Sequence, residues 1–336
     1  MTPNLKKITV LGGGSWGTAL GILLGKKGFE VTIFEYLKEN VELIEKFKEN
    51  IKFLPGVKIP ANVAFTYELD EALGEAEAII LALPSHTVSD VLGEVSKILK
   101  REPLFVIATK GIETSTLQRM SELAGSRLPY LKEDVVVLSG PSFAYEVSRD
   151  VPTAVVAASK NKEKAELAQE LLVTPSFRVY TNPDVIGVEL GGSLKNVLAI
   201  ACGISDGLGF GDNTKAALMT RGLAEIIRLG LVLGARKETF AGLSGMGDLI
   251  ATCTSGHSRN RHLGEVIGYG KSLEEALGEM IMVAEGVKTT EAAVKLGKKL
   301  KVELPITEKV YEVLFKGEDP LNAVKNLMLR RARAEG

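Results

Sequence analysis

One lysine stands inside an apolar, helix-length stretch of the sequence. Lys195 is the only basic residue between Arg178 and Lys215, and the amide Asn196 follows it directly. A lysine in such surroundings must lose water, find a partner or extend to the surface, and desolvation lowers its pKa toward the range useful for proton transfer. Lys195 is therefore the first candidate for an acid/base; the alternative is a lysine that only snorkels from a buried helix to water.

Three predicted strands end in polar segments, at residues 83–86, 109–113 and 139–144. Open parallel sheets bind ligands beyond the carboxyl ends of their strands. Lys110 closely follows an apolar strand and precedes a glycine, so we expect it at that edge, where it can meet an anion or a carbonyl oxygen. His86 is another acid/base candidate, although a histidine that caps a loop or lines a cofactor cleft is the more common case.

A glycine-rich segment, residues 242–250, places Asp248 at the start of an apolar helix. Asp248 is either an N-cap or the carboxylate that orients a catalytic lysine and balances its charge. The next segment, residues 252–261, combines hydroxyl groups, an amide and arginines at the opening of a helix. Guanidinium groups and helix N-terminal N–H groups bind phosphate oxygens well, so this segment predicts a phosphate site.

A second glycine-rich segment follows the first predicted strand and satisfies the pattern G-x-G-x-x-G at Gly12, Gly14 and Gly17. Gly12 makes the turn, Gly14 lets a pyrophosphate approach the backbone, and Gly17 permits close packing of helix on strand. The following helix presents free N–H groups and its positive dipole end to the phosphates. Glycine clusters also mark ordinary tight turns, but a strand before this one and an apolar helix after it favour a dinucleotide site.

The second predicted strand leads into Glu35, which lies 18 residues after Gly17. The acid that binds an adenosine ribose is expected about 20 residues after the glycines. A carboxylate there bonds both ribose hydroxyls and repels a 2′-phosphate, so Glu35 favours NAD over NADP. The alternative is a solvated charge at the end of a strand. Tyr36 is a candidate for stacking beside the adenine.

The elements that must position these residues change in kind along the chain. Predicted strands cover residues 8–11, 31–34, 78–83, 104–108, 135–138, 153–157 and 177–180. Helices are predicted over residues 18–27, 88–99 and 162–172, and then over 185–205, 215–233, 259–267, 284–300, 306–315 and 321–330. Alternating strands and helices predict a mostly parallel, doubly wound α/β sheet. The break at residues 182–184 predicts a dinucleotide-binding domain, residues 1–182, and a helical substrate-binding and catalytic domain, residues 183–336.

Composition excludes several classes of protein. The 336 residues include 41 basic and 42 acidic side chains, so no global field attracts nucleic acid or an acidic membrane surface. Cys202 and Cys253 are too few for a disulfide framework and lack C-x-x-C spacing, so we expect a reducing compartment and no metal. Lys195 and Asn196 interrupt the longest apolar stretch, so we expect a cytoplasmic protein without a spanning helix. The basic end at residues 330–333 predicts a solvated helix end.

Six motifs occur in order along the chain. They are residues 12–19, Lys110-Gly111, residues 139–144, Leu194-Lys195-Asn196, residues 245–248 and Ser258-Arg259-Asn260. Together they resemble bacterial NAD(P)-dependent glycerol-3-phosphate dehydrogenases over nearly the whole chain, and six ordered motifs are far more specific than one glycine loop. The resemblance implies an N-terminal Rossmann-like doubly wound sheet and an all-α C-terminal domain like that of 6-phosphogluconate dehydrogenase.

The resemblance also implies an activity and its residues. It implies a cytoplasmic homodimer that interconverts dihydroxyacetone phosphate and sn-glycerol 3-phosphate for glycerophospholipid synthesis, with NAD or NADP and with Lys195 as general acid/base. The implied substrate site comprises Lys110, Gly140, Ser142, Asn196, Asp248, Ser258, Arg259 and Asn260. The dinucleotide contacts that it adds to the glycines are Ser15, Trp16, Tyr36, Lys110, Ala144, Arg259, Val283 and Glu285. Residues 34–37 depart from many relatives, which have basic or neutral polar residues there, and this departure weakens the case for NADP.

Two other functions fit parts of the pattern. A β-hydroxyacid dehydrogenase of the same two-domain plan also uses a helix lysine, but it needs a carboxylate clamp and an asparagine about one helical turn away, whereas Asn196 is adjacent to Lys195. A non-catalytic nucleotide-sensing protein with the same first domain has no reason to bury Lys195 or to place Ser258-Arg259-Asn260 opposite it.

Overall fold

The fold of residues 5–280, 282–331 and 334 is described by a computed structural model. An eight-stranded sheet forms the first half of the described chain, in the order β3-β2-β1-β4-β5-β6-β7-β8. The strands are β1 (Lys7–Leu11), β2 (Glu30–Phe34), β3 (Val63–Thr66), β4 (Ala78–Leu81), β5 (Leu104–Ile107), β6 (Val136–Ser139), β7 (Thr153–Ala158) and β8 (Phe177–Asn182). Neighbouring strands are parallel except β6 and β7, which are antiparallel.

Helices cover both faces of this sheet, which explains why its strands are apolar at successive positions. They are α1 (Ser15–Lys26), α2 (Lys38–Phe47), α3 (Leu69–Leu73), α4 (Val88–Ile98), α5 (Met120–Arg127), α6 (Leu131–Asp134), α7 (Ala144–Val147) and α8 (Lys162–Leu172). In β4, Ala78 and Ile80 belong to the hydrophobic cluster that includes residues of α1 and α8, whereas Ile79 and Leu81 belong to the cluster that includes α4 and α5. The predicted doubly wound α/β fold is confirmed.

The second half packs around one long central helix, α9 (Val185–Gly207). The other helices are α10 (Asp212–Val232), α11 (Asp248–Thr254), α12 (Arg259–Gly268), α13 (Leu273–Gly278), α14 (Glu285–Leu300), α15 (Pro305–Lys316) and α16 (Pro320–Met328). Asp184 caps α9 by accepting a 2.9 Å hydrogen bond from the Gly187 N–H. A side chain at Gly264 would meet the Ile200 carbonyl, so this glycine lets α12 lie directly against α9. That contact places the start of α12 beside Lys195.

The α9 helix is the apolar stretch in which we expected no membrane span. Within the described residues it is long and apolar enough to cross a membrane, with a mean hydropathy of 1.5 despite Lys195 and Asn196. However, 94% of an 18-residue apolar stretch of this helix is buried in the fold, so it is the core helix of this half.

Most predicted elements lie within a few residues of the observed ones, and the differences have physical causes. The sequence did not predict β3, which has only four residues, or the short helices α2, α3, α5, α6, α7 and α13. Nor did it predict the antiparallel direction of β7, because strand direction depends on the crossover rather than on the strand's own residues. Of the basic end at residues 330–333, Ala332 and Arg333 lie outside the described residues.

Candidate active site

The glycine-rich loop connects β1 to α1 in a conformation that favours glycine. Gly12 has a φ of +121°, and a side chain there would meet the Ala82 carbonyl at 2.7 Å. Gly14 has open space where its side chain would be, and it precedes α1, whose N-terminus has no side-chain cap or acidic residue within the described part of the chain. The first N–H groups of α1 are therefore left for an anion. This loop fits a pyrophosphate.

A buried asparagine that the sequence analysis missed holds this loop. Asn50 is fully buried, and its Nδ2 donates to the Gly13 carbonyl at 2.8 Å and to Thr18 Oγ1 at 2.9 Å. The Asn50 side-chain oxygen, Oδ1, accepts a hydrogen bond from the Phe53 N–H at 3.2 Å. A buried amide with satisfied donors and acceptor fixes its neighbours in place. Nothing in the local sequence distinguishes Asn50, because the partners of its Nδ2 lie more than 30 residues away.

Glu35 lies beneath the glycine loop at the end of β2. Its side chain is 6% exposed, and its Oε1 accepts a 3.1 Å hydrogen bond from the Leu37 N–H. A side chain at Gly13 would overlap the Glu35 carboxylate, so the glycine makes room for it. Burial raises the pKa of Glu35, and the Leu37 N–H opposes that change. Glu35 is thus not the solvated strand-end charge that was the alternative.

A cavity of about 740 Å³ runs from the glycine loop to Lys195. Most of the residues assigned to a ligand by sequence line it. These are Gly12, Gly14, Ser15, Trp16, Glu35, Tyr36, Lys110, Ser142, Ala144, Lys195, Asn196, Ser258, Arg259, Asn260, Val283 and Glu285. Gly17, Gly140, Asp248 and His86 are not among the lining residues, and His86 is exposed on the segment Ser85–Thr87.

Asp248 lies between two lysines behind the cavity wall. Its Oδ1 accepts a hydrogen bond from Lys195 Nζ, and its Oδ2 accepts one of 2.7 Å from Lys110 Nζ. Lys195 also donates to Thr252 Oγ1 at 2.6 Å, one turn further along α11. Lys110 also donates to the Gly140 carbonyl at 2.9 Å. The α11 helix starts without a side-chain cap among the described residues, so Asp248 serves the lysines, and the N-cap alternative is wrong.

Burial sets the proton affinity of Lys195. The residue is 6% exposed and paired, so it does not snorkel to the surface. Burial lowers the pKa of Lys195 to about 8; the Asp248 carboxylate raises it and the Lys110 ammonium lowers it. An ammonium group with this pKa gives up a proton readily near neutral pH. Two lysines and one carboxylate also leave a net positive charge beside the cavity, which suits an anion or a developing alkoxide.

Hydrogen bonds between side-chain amides link Asn196, which follows Lys195, to α14. Asn260 Nδ2 donates to Asn196 Oδ1 at 3.0 Å, and Asn260 Oδ1 accepts from the Gly286 N–H at 2.8 Å. Because the side-chain oxygen of Asn196 already accepts this hydrogen bond, the side-chain NH2 group is the end left for a ligand. Asn260 therefore contacts Asn196 directly, which its sequence motif alone does not reveal.

The N-terminus of α12 combines a cap with a cation. Ser258 Oγ accepts a 3.2 Å hydrogen bond from the Arg261 N–H, and Arg259 is exposed to the cavity with its Nη1 donating to the Val283 carbonyl at 3.0 Å. Glu285, nearby, accepts hydrogen bonds from the Ser85 N–H at 3.0 Å and from Ser85 Oγ at 2.5 Å. This contact joins the helical half to the sheet half, and burial raises the pKa of Glu285 against these hydrogen bonds.

Neither of the two cysteines is among the residues that line the cavity. Cys202 and Cys253 are both buried in the core of the helical half. Within the described residues, no cluster of three or more histidine, cysteine or acidic side chains is arranged to hold a metal ion.

Comparison with known proteins places the chain among its relatives. The family model described as NAD-dependent glycerol-3-phosphate dehydrogenase N-terminus matches residues 7–165, and the corresponding C-terminus model matches residues 184–325. Glycerol-3-phosphate dehydrogenase (NAD(P)+) of Pelotomaculum thermopropionicum is 55% identical over 325 residues, which are 96% of this chain and 93% of that protein. The protein of the same name from a Thermoanaerobacter species is 52% identical over 98% of both chains. The crystal structure of glycerol-3-phosphate dehydrogenase from Coxiella burnetii superposes with a TM-score of 0.94 at 38% identity, over 98% of this chain and 100% of that one.

Proposed function

The chain belongs to the NAD-dependent glycerol-3-phosphate dehydrogenase family of oxidoreductases, and we propose that it transfers a hydride from NAD(P)H to dihydroxyacetone phosphate, reversibly, to give sn-glycerol 3-phosphate. The observation that carries this proposal is the buried Lys195–Asp248–Lys110 cluster at one end of a cavity that starts at the glycine loop. The cluster supplies a proton, and the loop fits the dinucleotide.

The cofactor site is proposed from the cavity lining and the glycine loop. A bound NAD(P)H supplies the hydride. The loop and the free N–H groups of α1 bind its pyrophosphate, and Glu35 binds the adenosine ribose and favours NAD. The residues proposed to hold the dinucleotide are Gly12, Gly14, Ser15, Trp16, Gly17, Glu35, Tyr36, Lys110, Ala144, Arg259, Val283 and Glu285. Gly17 would act by close packing, because a side chain there would overlap the Gly12 carbonyl.

The substrate carbonyl is proposed to bind at Lys195. As the carbonyl carbon accepts the hydride, its oxygen becomes an alkoxide, and the Lys195 ammonium gives that oxygen a proton and becomes neutral. The Asn196 NH2 group, oriented by Asn260, donates a hydrogen bond to the same oxygen, and Lys110 adds positive charge. In the reverse direction neutral Lys195 accepts the hydroxyl proton. Lys195 is the proposed catalytic residue.

The substrate phosphate is proposed to bind at the start of α12. Its N–H groups and the Arg259 guanidinium both suit phosphate oxygens. Binding energy from this unreactive group positions the carbonyl for reaction. The residues proposed to form the substrate site are Lys110, Gly140, Ser142, Asn196, Asp248, Ser258, Arg259 and Asn260. Gly140 and Asp248 would act through Lys110, which donates to both.

The division into residues 1–182 and 183–336 is also part of the proposal. It is supported by the end of β8 at Asn182 and the start of α9 at Val185. A homodimer, a cytoplasmic location and a role in glycerophospholipid synthesis are proposed from the family resemblance. A non-catalytic nucleotide sensor is disfavoured, because Lys195 is buried with a carboxylate and a hydroxyl partner.

A coupled assay tests the proposed function. The purified chain is incubated with NADH and dihydroxyacetone phosphate, NADH oxidation is followed, and the product is identified as sn-glycerol 3-phosphate with a stereospecific enzyme. Unphosphorylated dihydroxyacetone is the matched control substrate. We expect rapid oxidation with the phosphorylated ketone and much slower oxidation with the control. No oxidation with the phosphorylated ketone, or equal rates with both, would overturn the proposal.

A further inference from the structure

A stack of three side chains that the proposed mechanism does not use lies at the edge of the cavity; they are Arg149, Tyr145 and His257. The His257 ring lies 5.0 Å from the Tyr145 ring at an interplanar angle of 23°, and 5.9 Å from the Phe143 ring. The Arg149 guanidinium lies 3.7 Å from the centre of the Tyr145 ring. Phe143 and His257 line the cavity. Tyr145 and Arg149 belong to the sheet half and His257 to the helical half, so the stack bridges the two.

Each end of this stack is attached to one part of the proposed site. On the sheet side, Arg149 Nη2 donates to the Pro55 carbonyl at 3.1 Å, in the segment that begins at Asn50. Asn50 in turn holds the glycine loop and the Phe53 N–H. A continuous set of contacts therefore runs from the dinucleotide loop to Tyr145.

On the helical side, His257 directly precedes Ser258, the cap of α12, and Arg259. The His257 N–H donates to Ser255 Oγ at 3.1 Å, and the Ser258 N–H donates to the Ser255 carbonyl at 3.3 Å. Hydrogen bonds to Ser255 thus hold a tight turn directly before the proposed phosphate-binding helix end, and the His257 ring attaches this turn to Tyr145. Movement of this ring away from Tyr145 would detach the turn from the sheet half.

We propose that Arg149, Tyr145 and His257 form a latch that couples dinucleotide binding to phosphate binding, with His257 and Tyr145 as positioning residues. The proposal rests on the function proposed above. A dinucleotide that orders the glycine loop and the segment 50–56 stabilises the latch, and the closed latch holds Arg259 in place for the phosphate. When a variant populates the latched state less, its measured affinity for dihydroxyacetone phosphate falls in the same proportion. Substrate that is bound still reacts.

The latch needs an aromatic ring at position 257 rather than a charge. An aromatic pair contributes enough free energy for about a two- to tenfold change in affinity. We therefore expect His257→Ala and Tyr145→Ala each to raise the KM for dihydroxyacetone phosphate about two- to tenfold, with kcat little changed. His257→Phe keeps a stacking ring and should restore the wild-type KM. His262 is an exposed histidine on α12, and His262→Ala is the matched control that should have no effect.

A binding experiment separates coupling from a simple loss of contacts. NADH and sn-glycerol 3-phosphate are both reduced and cannot react, so NADH fluorescence reports the affinity of each in the presence of the other. In the wild type we expect glycerol 3-phosphate to strengthen NADH binding, and in His257→Ala this gain should fall about two- to tenfold. The affinity for NADH alone should fall by no more than the same factor, because the latched state also favours the dinucleotide.

The outcomes are distinct. The latch is overturned if His257→Phe is as impaired as His257→Ala, which would make His257 a polar ligand, or if neither alanine variant changes KM and coupling. A wild type that does not reduce dihydroxyacetone phosphate contradicts the proposed function instead. In that case hydrogen exchange of residues 255–258 in the resting protein decides the latch: slower exchange in wild type and His257→Phe than in His257→Ala supports it, and equal exchange overturns it.

Discussion

Replacing Asp248 with asparagine should move the pH dependence of the reaction to lower pH. The substitution keeps the shape of the side chain but removes the only carboxylate that contacts both Lys195 and Lys110 within the described residues. Burial and the Lys110 charge, which both lower the pKa of Lys195, are then unopposed by that carboxylate. The ammonium form of Lys195 becomes harder to maintain.

The size of the effect follows from the charges. An opposite charge in contact changes a pKa by about one to three pH units, and two units correspond to about 2.7 kcal/mol. The pKa of Lys195 is about 8 in the wild type. In Asp248→Asn, the limb of the kcat/KM–pH profile that reports this pKa should therefore move to about pH 6. Ketone reduction requires the ammonium form, so at pH 7 the Asp248→Asn rate should fall about tenfold from protonation alone and recover toward pH 5.

The assay is kcat/KM for dihydroxyacetone phosphate at saturating NADH between pH 5 and 9. Thr252→Val is the matched control, because it removes the 2.6 Å contact of Lys195 without changing charge. Its limb should move much less than that of Asp248→Asn. A limb that stays near pH 8 in Asp248→Asn, or moves to higher pH, would refute the electrostatic account of the cluster.

Three further predictions address the phosphate, the cofactor and stability. Arg259→Ala should lower kcat/KM for dihydroxyacetone phosphate strongly and kcat in part, because remote binding energy positions the carbonyl; an equal loss with unphosphorylated dihydroxyacetone would contradict a phosphate contact. Wild-type enzyme should prefer NADH to NADPH about tenfold in kcat/KM, which requires only about 1.4 kcal/mol, and Glu35→Ser should narrow that ratio chiefly through KM; an unchanged ratio would assign the preference elsewhere. Burial raises the pKa of Glu225 to about 7, which favours its protonated form in the fold, so the free energy of unfolding should fall by about 3 kcal/mol as pH rises from about 4.5 to 7. Chemical denaturation of Glu225→Gln should lack that fall, and a pH dependence like that of the wild type would exclude Glu225 as its source.

The pairing of Lys195 was predictable from sequence because its surroundings leave few alternatives. An apolar helix without other basic residues requires a buried lysine to have a partner, and Asp248 was the available carboxylate in a glycine-rich turn. The dinucleotide loop was predictable for a similar reason, since its glycines, the preceding strand and the following helix are all local. Local signals of this kind predict the sheet and the central helix as well.

The parts that sequence did not predict depend on contacts between distant residues. Asn50 resembles any loop asparagine until the fold brings it under the Gly13 carbonyl. Asp248 was expected to orient one lysine, whereas the fold brings Lys110 to its second oxygen from 138 residues away. The direction of β7 and the bond of Asn260 to Asn196 likewise depend on tertiary packing.

The most direct test of the account separates chemistry from cofactor binding at Lys195. Lys195→Ala removes the buried proton donor but leaves the glycine loop and Asn50 intact. NADH affinity is measured by fluorescence titration, and a single turnover is followed after mixing the NADH complex with dihydroxyacetone phosphate. We predict NADH binding close to that of the wild type and no detectable hydride transfer. Hydride transfer at the wild-type rate would contradict the central claim that Lys195 supplies the proton.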